Sequence, residues 1–276
     1  MENYSVLMSV YCKENPDYFA QALQSMLDQT VRTDDLVIVC DGPLTEELDA
    51  VLEHYRSQCP EIFNIVRLEK NVGIGNAANI GLKHCKNDLV AKMDADDISL
   101  PQRCEKQLRR FAECEKLTVL GCHIDEFEED PEKPFSVRSV PVTNDAIRGF
   151  ARRRQPFNNM TVMYRRKAVE AVGGYRDFRR SEDFDLYLRL LHAGYYAENL
   201  DEVLVKARVN RDALVRRGSW GTLKGCARSR WYSYRIGYAS LWDVCYCVAG
   251  EFVILISPVK LKQLIYNRFL RKRVDT

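Results

Sequence analysis

Between residues 4 and 93, short apolar runs alternate with stretches of helical period, and turn residues bound each run. Tyr4 to Val10, Leu36 to Cys40, Phe63 to Leu68 and Asp88 to Met93 carry little polar alternation, the pattern of strands covered on both faces. After Pro16, the side chains of Phe19, Ala22, Leu23, Met26 and Leu27 fall on one helical face, and Leu48, Val51, Leu52 and Tyr55 mark a second. Ile80 lies in a shorter helix behind a glycine-rich turn. Strands and helices in this order predict parallel strands joined by right-handed crossovers. The expected fold is therefore α/β, a Rossmann-like and mostly parallel sheet flanked by helices. In such sheets ligands bind beyond the carboxyl ends of the strands.

That edge gathers chemistry from separate parts of the chain. Ser9 and Tyr11 end the first strand, Asp41 ends the second, and Asp94, Asp96 and Asp97 end the fourth. Carboxylates this close raise the free energy of ionising one another, and a bound divalent cation is the simplest compensation. Hard oxygen ligands suit magnesium, manganese or calcium, with water and ligand phosphates completing the shell. A nucleoside diphosphate fits the ensemble: Asp41 can accept from a base N–H, Tyr11 can stack, and the metal can hold the diphosphate.

A second carboxylate block, Ser181-Glu182-Asp183-Phe184-Asp185, follows Gly173-Gly174-Tyr175. Phe184, Tyr187, Leu188 and Leu191 have helical spacing, so Glu182 and Asp183 lie in a first turn, where the helix dipole favours carboxylate anions. Between the two blocks, Cys104, Leu108 and Phe111 predict a helix, Val119 to Ile124 a strand, and Glu126 to Lys133 a solvated acidic loop. Asn144 can cap a short helix ending in Arg152-Arg153-Arg154. Asn158 and Asn159 follow, and this basic and Asn-rich segment is a candidate to hold an acceptor or the donor diphosphate. The turn at Gly73 and Gly75 imitates a dinucleotide fingerprint, which would suit an NAD-dependent oxidoreductase, but it lies in the third strand-helix turn rather than the first. A turn that needs permissive glycines is the plainer reading.

Taken in order, Ser5 to Tyr11, Ser25 to Thr30, Leu36 to Gly42, Asn71 to Gly81 and the Asp94 cluster resemble the successive blocks of the family 2 inverting glycosyltransferases of GT-A fold. The resemblance covers about residues 4 to 218. It implies a nucleotide-sugar donor, commonly UDP-linked, with Asp41 on the base, Asp94 on ribose or metal, and Asp96 as the main metal-contacting carboxylate. It aligns Asp183 with the catalytic base, which takes the acceptor proton in a single inverting displacement. Cys40 departs from the pattern, since many members carry a further Asp there. Where some relatives place a histidine metal ligand, this chain has Asn210 and Arg211. The implied acceptor is a hydroxyl of a glycan or lipid-linked saccharide, as in assembly of bacterial surface polysaccharides, and the implied cofactor is Mn2+ or Mg2+. A module that binds nucleotide or glycan without turnover is the remaining alternative.

The chain of 276 residues divides accordingly into a catalytic domain, 1–217, and an extension, 218–276. Within the domain, residues 1–105 are expected to bind the nucleotide-sugar and 106–217 the acceptor. Charge separates the two parts. From Arg216 onward twelve Lys and Arg face three acidic residues, a balance of +9 that leaves −7 on the rest. The extension adds Trp220, Trp231 and Trp242 and an apolar run from Val244 to Ile256 too short to span a bilayer. Interleaved basic and aromatic residues suit an anionic membrane surface, and no nucleic-acid motif accompanies them. Arg216 and Arg217 could close over the diphosphate as a basic lid. No basic-then-apolar leader is visible at Met1, and the ten cysteines form no CxxC pairs, so they read as reduced thiols of a cytoplasmic protein peripheral to the inner face of the membrane.

Overall fold

The computed structural model describes residues 2–176, 181–209, 220–257 and 272–273. The first half follows the expected alternation: β1 (Tyr4–Val10), α1 (Pro16–Leu27), β2 (Asp35–Cys40), α2 (Glu46–Gln58), β3 (Phe63–Arg67), α3 (Ile74–His84) and β4 (Leu89–Asp94). Local chemistry sets the ends. Asn15 Oδ1 accepts from the N–H of Asp17 and of Tyr18 at 2.8 and 3.3 Å, and Pro16 needs no amide partner in the first turn. Thr45 caps α2 in the same way, accepting from Leu48 N.

The second half is less regular. A two-residue strand β5 (Ile98–Ser99) precedes α4 (Arg103–Glu113), then come β6 (Leu117–Phe127), β7 (Ser136–Arg138), α5 (Asn144–Ala151), a 3-10 turn at Asn159–Thr161, β8 (Met163–Arg165), α6 (Arg166–Ala171), α7 (Glu182–His192) and β9 (Tyr196–Arg208). The extension holds α8 (Trp220–Arg235), α9 (Leu241–Ile256) and a terminal β10 (Lys272–Arg273).

Ten strands form one sheet in the order β10-β7-β6-β8-β4-β1-β2-β3, with β9 paired to β6 and β5. The strands β4, β1, β2 and β3 are mutually parallel, whereas β8 lies antiparallel between β4 and β6. Two apolar layers cover the faces. Tyr4, Val6, Met8 and Val10 of β1 face α1, α2 and α4, while Leu7 faces α3 and α7 in the other layer.

The acidic loop begins later than its sequence suggests. Glu126 and Phe127 are buried in β6, where Glu126 accepts from Ser136 Oγ, and the exposed turn starts beyond them. Thr143, not Asn144, caps α5; Asn144 Oδ1 instead accepts from Ala197 N at 3.2 Å and ties that helix to β9. The extension packs onto the domain. Arg153 Nε donates to Asp243 at 2.5 Å, Tyr238 Oη to Arg148 O at 2.9 Å, and the Arg230 guanidinium stacks over Phe184 at 3.8 Å. Two members of the basic triplet thus dock α9, since Arg152 also pairs with Asp243, while Arg154 stacks on Phe150 of α5.

Candidate active site

The ends of β1, β2 and β4 lie side by side, with Ser9 opposite both Val39 and Asp94 in the sheet register. Three residues do the bracing. Arg103, fully buried, donates to Lys92 O at 2.7 Å and to Gln107 Oε1 at 3.2 Å; Gln107 Nε2 in turn donates to Thr161 O at 2.8 Å. Arg208 holds the next turn, its N–H donating to Asp97 Oδ1 at 2.8 Å and its Nε to Asp96 O at 3.3 Å. Asp97 is therefore turned inward as a structural acceptor, leaving Asp94 and Asp96 half-buried at the mouth.

These carboxylates crowd one another. Burial pushes Asp96 up to about 6, and Asp94 adds to the rise. Burial also raises Asp94, with Lys92 and Arg103 opposing. A neighbour that the sequence did not single out joins them: Glu14, in the turn after β1, is pushed up to about 7 by burial, then by Asp96 and Asp94. Such a group of oxygen donors short of positive charge fits a divalent cation. Among the described residues no three His, Cys, Asp or Glu side chains converge as a closed metal cage, so a cation here would take few protein ligands and complete its shell from substrate and water. Asp96 and Asp94 are the residues placed to hold it.

Asp41 is 6% exposed, and its two oxygens accept from Val72 N at 2.7 Å and Gly73 N at 3.1 Å. The carboxylate clamps the glycine turn onto the end of β2. These are amides that a dinucleotide site would turn toward phosphate. Gly73, with φ at +88°, takes the left-handed backbone that the turn requires. Tyr11 stands 36% exposed at the rim, and Ser9 Oγ is buried with no hydrogen-bond partner. This orphaned hydroxyl beside Asp94 is a polar atom that a ligand could satisfy.

A cavity of ≈250 Å³ joins the two carboxylate blocks, lined by Lys92 and Asp94 from the first and by Glu182 and Asp183 from the second. Asp183, at the start of α7, accepts from Gln155 Nε2 at 2.7 Å and from Phe184 N at 2.7 Å. Burial raises it, the hydrogen bonds from Phe184 and Gln155 and the charge of Arg138 pull it back, and Asp94 pushes it up again. The loop before α7 is pinned twice: Asn79 exchanges hydrogen bonds with both backbone groups of Tyr175, and Arg189, paired with Asp185, donates to Gly174 O.

Asn159 lines the cavity and accepts from Tyr187 Oη at 2.8 Å. Asn158 is not among its walls; it is buried and donates to Cys122 O and Arg138 O, bracing the sheet beneath. Arg216, Arg217 and Asn210 lie outside the described residues. Gln155, Lys92 and Arg138 line the cavity without having been singled out from sequence. Lys92 alone left a legible signal, a charge inside an otherwise apolar strand.

The profile of the family described as "Glycosyl transferase family 2" matches residues 5–176. The chain belongs to glycosyl transferase family 2. It is a glycosyltransferase of GT-A fold. It is 36% identical over 271 residues to an amylovoran biosynthesis glycosyltransferase of Erwinia amylovora, covering 96% of this chain and 98% of that one. It is 31% identical to a UDP-Gal:alpha-D-GlcNAc-diphosphoundecaprenol beta-1,3-galactosyltransferase of Escherichia coli, covering 98% and 97% of the two chains. Among solved structures, a mannosyltransferase of Pyrobaculum calidifontis in complex with GDP-Man and Mn2+ superposes with a TM-score of 0.63 at 14% identity, covering 96% of this chain and 78% of that one. Family membership sets aside the oxidoreductase reading of the Gly73 turn.

Proposed function

We propose that this family 2 enzyme is an inverting, divalent-metal-dependent transferase that moves a sugar from a nucleoside-diphosphate sugar, UDP-linked by preference, to a hydroxyl of a lipid-linked saccharide in bacterial surface-polysaccharide assembly. The observation that carries this reading is a cavity lined by both Asp94 and Asp183. On this reading Asp94 marks the donor part of that space and Asp183 the acceptor part. Asp183 takes the proton of the acceptor hydroxyl; that oxygen bonds to the anomeric carbon as the bond to the diphosphate breaks, and the electron pair leaves with the nucleoside diphosphate. The raised range of Asp183 strengthens it as a base while Gln155 fixes its orientation. Ser9, Tyr11 and Asp41 hold the nucleoside, and Asn159 and Glu182 face the acceptor. A cation on Asp96 and Asp94 would offset the charge that builds on the departing diphosphate.

The lipid-linked acceptor is supported by the Escherichia coli relative, whose name specifies a diphosphoundecaprenol-linked substrate, and by the outer face of the extension. Trp220, Trp231, Trp242 and Tyr246 are exposed on α8 and α9 beside Lys224, Arg228 and Arg235. Among the described residues no helix is long and apolar enough to cross a membrane. On this reading the hairpin rests on the anionic cytoplasmic surface.

The test is transfer from a panel of UDP-, GDP- and TDP-sugars to an undecaprenyl-diphosphate-linked monosaccharide, with Mn2+ and again with chelator, and NMR of the product linkage. An inverted anomer formed only with metal supports the reading. Transfer indifferent to chelator, or retention of configuration, refutes it. For the membrane reading, Trp231→Ala with Trp242→Ala should weaken sedimentation with phosphatidylglycerol vesicles while leaving the fold intact; unchanged binding would refute it.

A further inference from the structure

Every residue of β4 before Asp94 is buried, and Lys92 is among them at 2% exposure. A lysine in such a place ordinarily runs its stem to bulk water or finds a carboxylate. Lys92 does neither. Its main chain is fixed on both sides, the N–H donating to Val162 O at 2.8 Å and the carbonyl accepting from Arg103 at 2.7 Å, so the side chain is aimed at the cavity it lines. Among the described residues no hydrogen bond or ion pair reaches its Nζ, although Asp94 lies close enough to act on it through space. The other deeply buried cations differ: Arg103, Arg189 and Arg230 all donate to carbonyl oxygens.

An amine that opens onto a cavity with no acceptor from the described residues is left to cavity water or to a ligand. An amine offers only donors, so the ligand must present oxygen lone pairs. The same cavity supplies acceptors from Asp183 and Glu182, and Phe157 and Met160 add apolar surface. A small body with hydroxyls around its rim and apolar faces answers all three, and at ≈250 Å³ the space is below the ~300–1,000 Å³ of sites for drug-sized ligands. It suits one sugar ring, not a whole nucleotide.

We propose that Lys92 is a positioning and specificity residue for the transferred sugar, its Nζ donating to ring hydroxyls held between Asp94 and Asp183. The inference rests on the transferase reading above and adds to it the group that recognises the sugar. Asp94 serves the diphosphate side of the same ring, so Lys92 orients the anomeric carbon toward Asp183.

The experiment compares wild type, Lys92→Met, which keeps the length and loses the donors, and Lys92→Arg, which keeps donors. Titration calorimetry with UDP and with UDP-galactose, or whichever nucleotide-sugar the wild type turns over, separates sugar from phosphate. Lys92→Met should bind UDP as wild type does, lose the added affinity of the sugar, and fall about 10- to 100-fold in kcat/KM, with partial rescue in Lys92→Arg. Deoxy-sugar donors sharpen the result. Removal of the hydroxyl that meets Lys92 should penalise wild type and leave Lys92→Met unaffected, a non-additivity that a structural role would not produce. Without ligand, Lys92→Met should melt no lower than wild type, because no acceptor of the described residues loses its donor. Equal loss of UDP and UDP-sugar binding, or additive penalties with the deoxy donors, or full activity in Lys92→Met, overturns the proposal while the transferase reading stands. A wild type that turns over no nucleotide-sugar overturns both.

Discussion

Asp183→Asn is the sharpest test of the candidate base, because the surroundings of this side chain are arranged to tolerate the change. One carboxylate oxygen accepts from Phe184 N and the other from Gln155 Nε2. An amide keeps the first acceptor and turns the second into a donor facing a donor. Gln155 can answer by rotating its own amide, since its Oε1 is buried and has no partner at present. The lost hydrogen bond is thereby replaced. Charge argues the same way: burial raises the carboxylate above its ordinary range, so folding favours the neutral form and a permanently neutral isostere should not lose stability. The expected change in unfolding free energy is within about 0.5 kcal/mol. Asp183→Ala would instead leave two donors without acceptors, about 1–3 kcal/mol for each that stays buried. Loss of a general base costs about 10²–10⁴ in rate, roughly 2.7–5.4 kcal/mol of barrier. Initial rates of transfer, nucleotide titration and urea unfolding measure the three quantities separately. The wild-type rate should rise with pH as Asp183 loses its proton, along a limb displaced above the ~3.9 of a free aspartate, and the residual rate of Asp183→Asn should lack that limb. A variant with rate within fivefold of wild type, or one that loses nucleotide binding in step with turnover, would refute the assignment.

Protons should compete with metal at the mouth of β4: Asp96 and Glu14, pushed up to about 6 and about 7, hold protons that the unfolded chain has released. Mn2+ affinity followed by calorimetry should rise as pH increases through that interval, and the chelated protein should lose stability over the same range; two flat profiles would count against the site. Asp41→Ala strips the acceptor from Val72 N and Gly73 N and should cost roughly 1–3 kcal/mol in urea unfolding as well as weakening UDP binding. A nucleotide affinity unchanged in this variant would remove Asp41 from the donor site. Gly81→Ala should cost about 1–3 kcal/mol, because a Cβ there would lie 2.3 Å from Leu7 Cδ1 and 2.7 Å from Val39 Cγ2. Unfolding indistinguishable from wild type would mean that α3 is free to move off the sheet.

The parallel half of the fold is legible because each strand is covered on both faces and reads as an apolar run; β1 appears with its expected ends, Tyr4 and Val10. The second half hides its strands. β9 passes through Glu198, Asn199, Asp201 and Glu202, which pair with Arg110, backbone carbonyls, His123 and Lys106, so its apolar pattern surfaces only near Val203. The strands β5, β8 and β10 have two or three residues and leave no period to read. Carboxylates at the site announce themselves by clustering. Gln155 does not, because its place beside Asp183 depends on the approach of the 155–161 segment to α7, a contact between positions 28 residues apart. Arg103 carries no chemical signature in sequence; only burial under β4 shows what it supports.

Phe184 follows Asp183 in the chain and lies under the guanidinium of Arg230. That stack joins the turn carrying the candidate base to the helix that presents the exposed Trp231. Together with the contacts of Arg153 with Asp243 and of Tyr238 with Arg148, it holds the two as one gauge. If the aromatic hairpin lands on lipid, the height at which an acceptor hydroxyl can be reached above the surface is set by these few side-chain contacts, and a saccharide of the wrong length would present its hydroxyl above or below the plane of transfer however well its terminal sugar fitted.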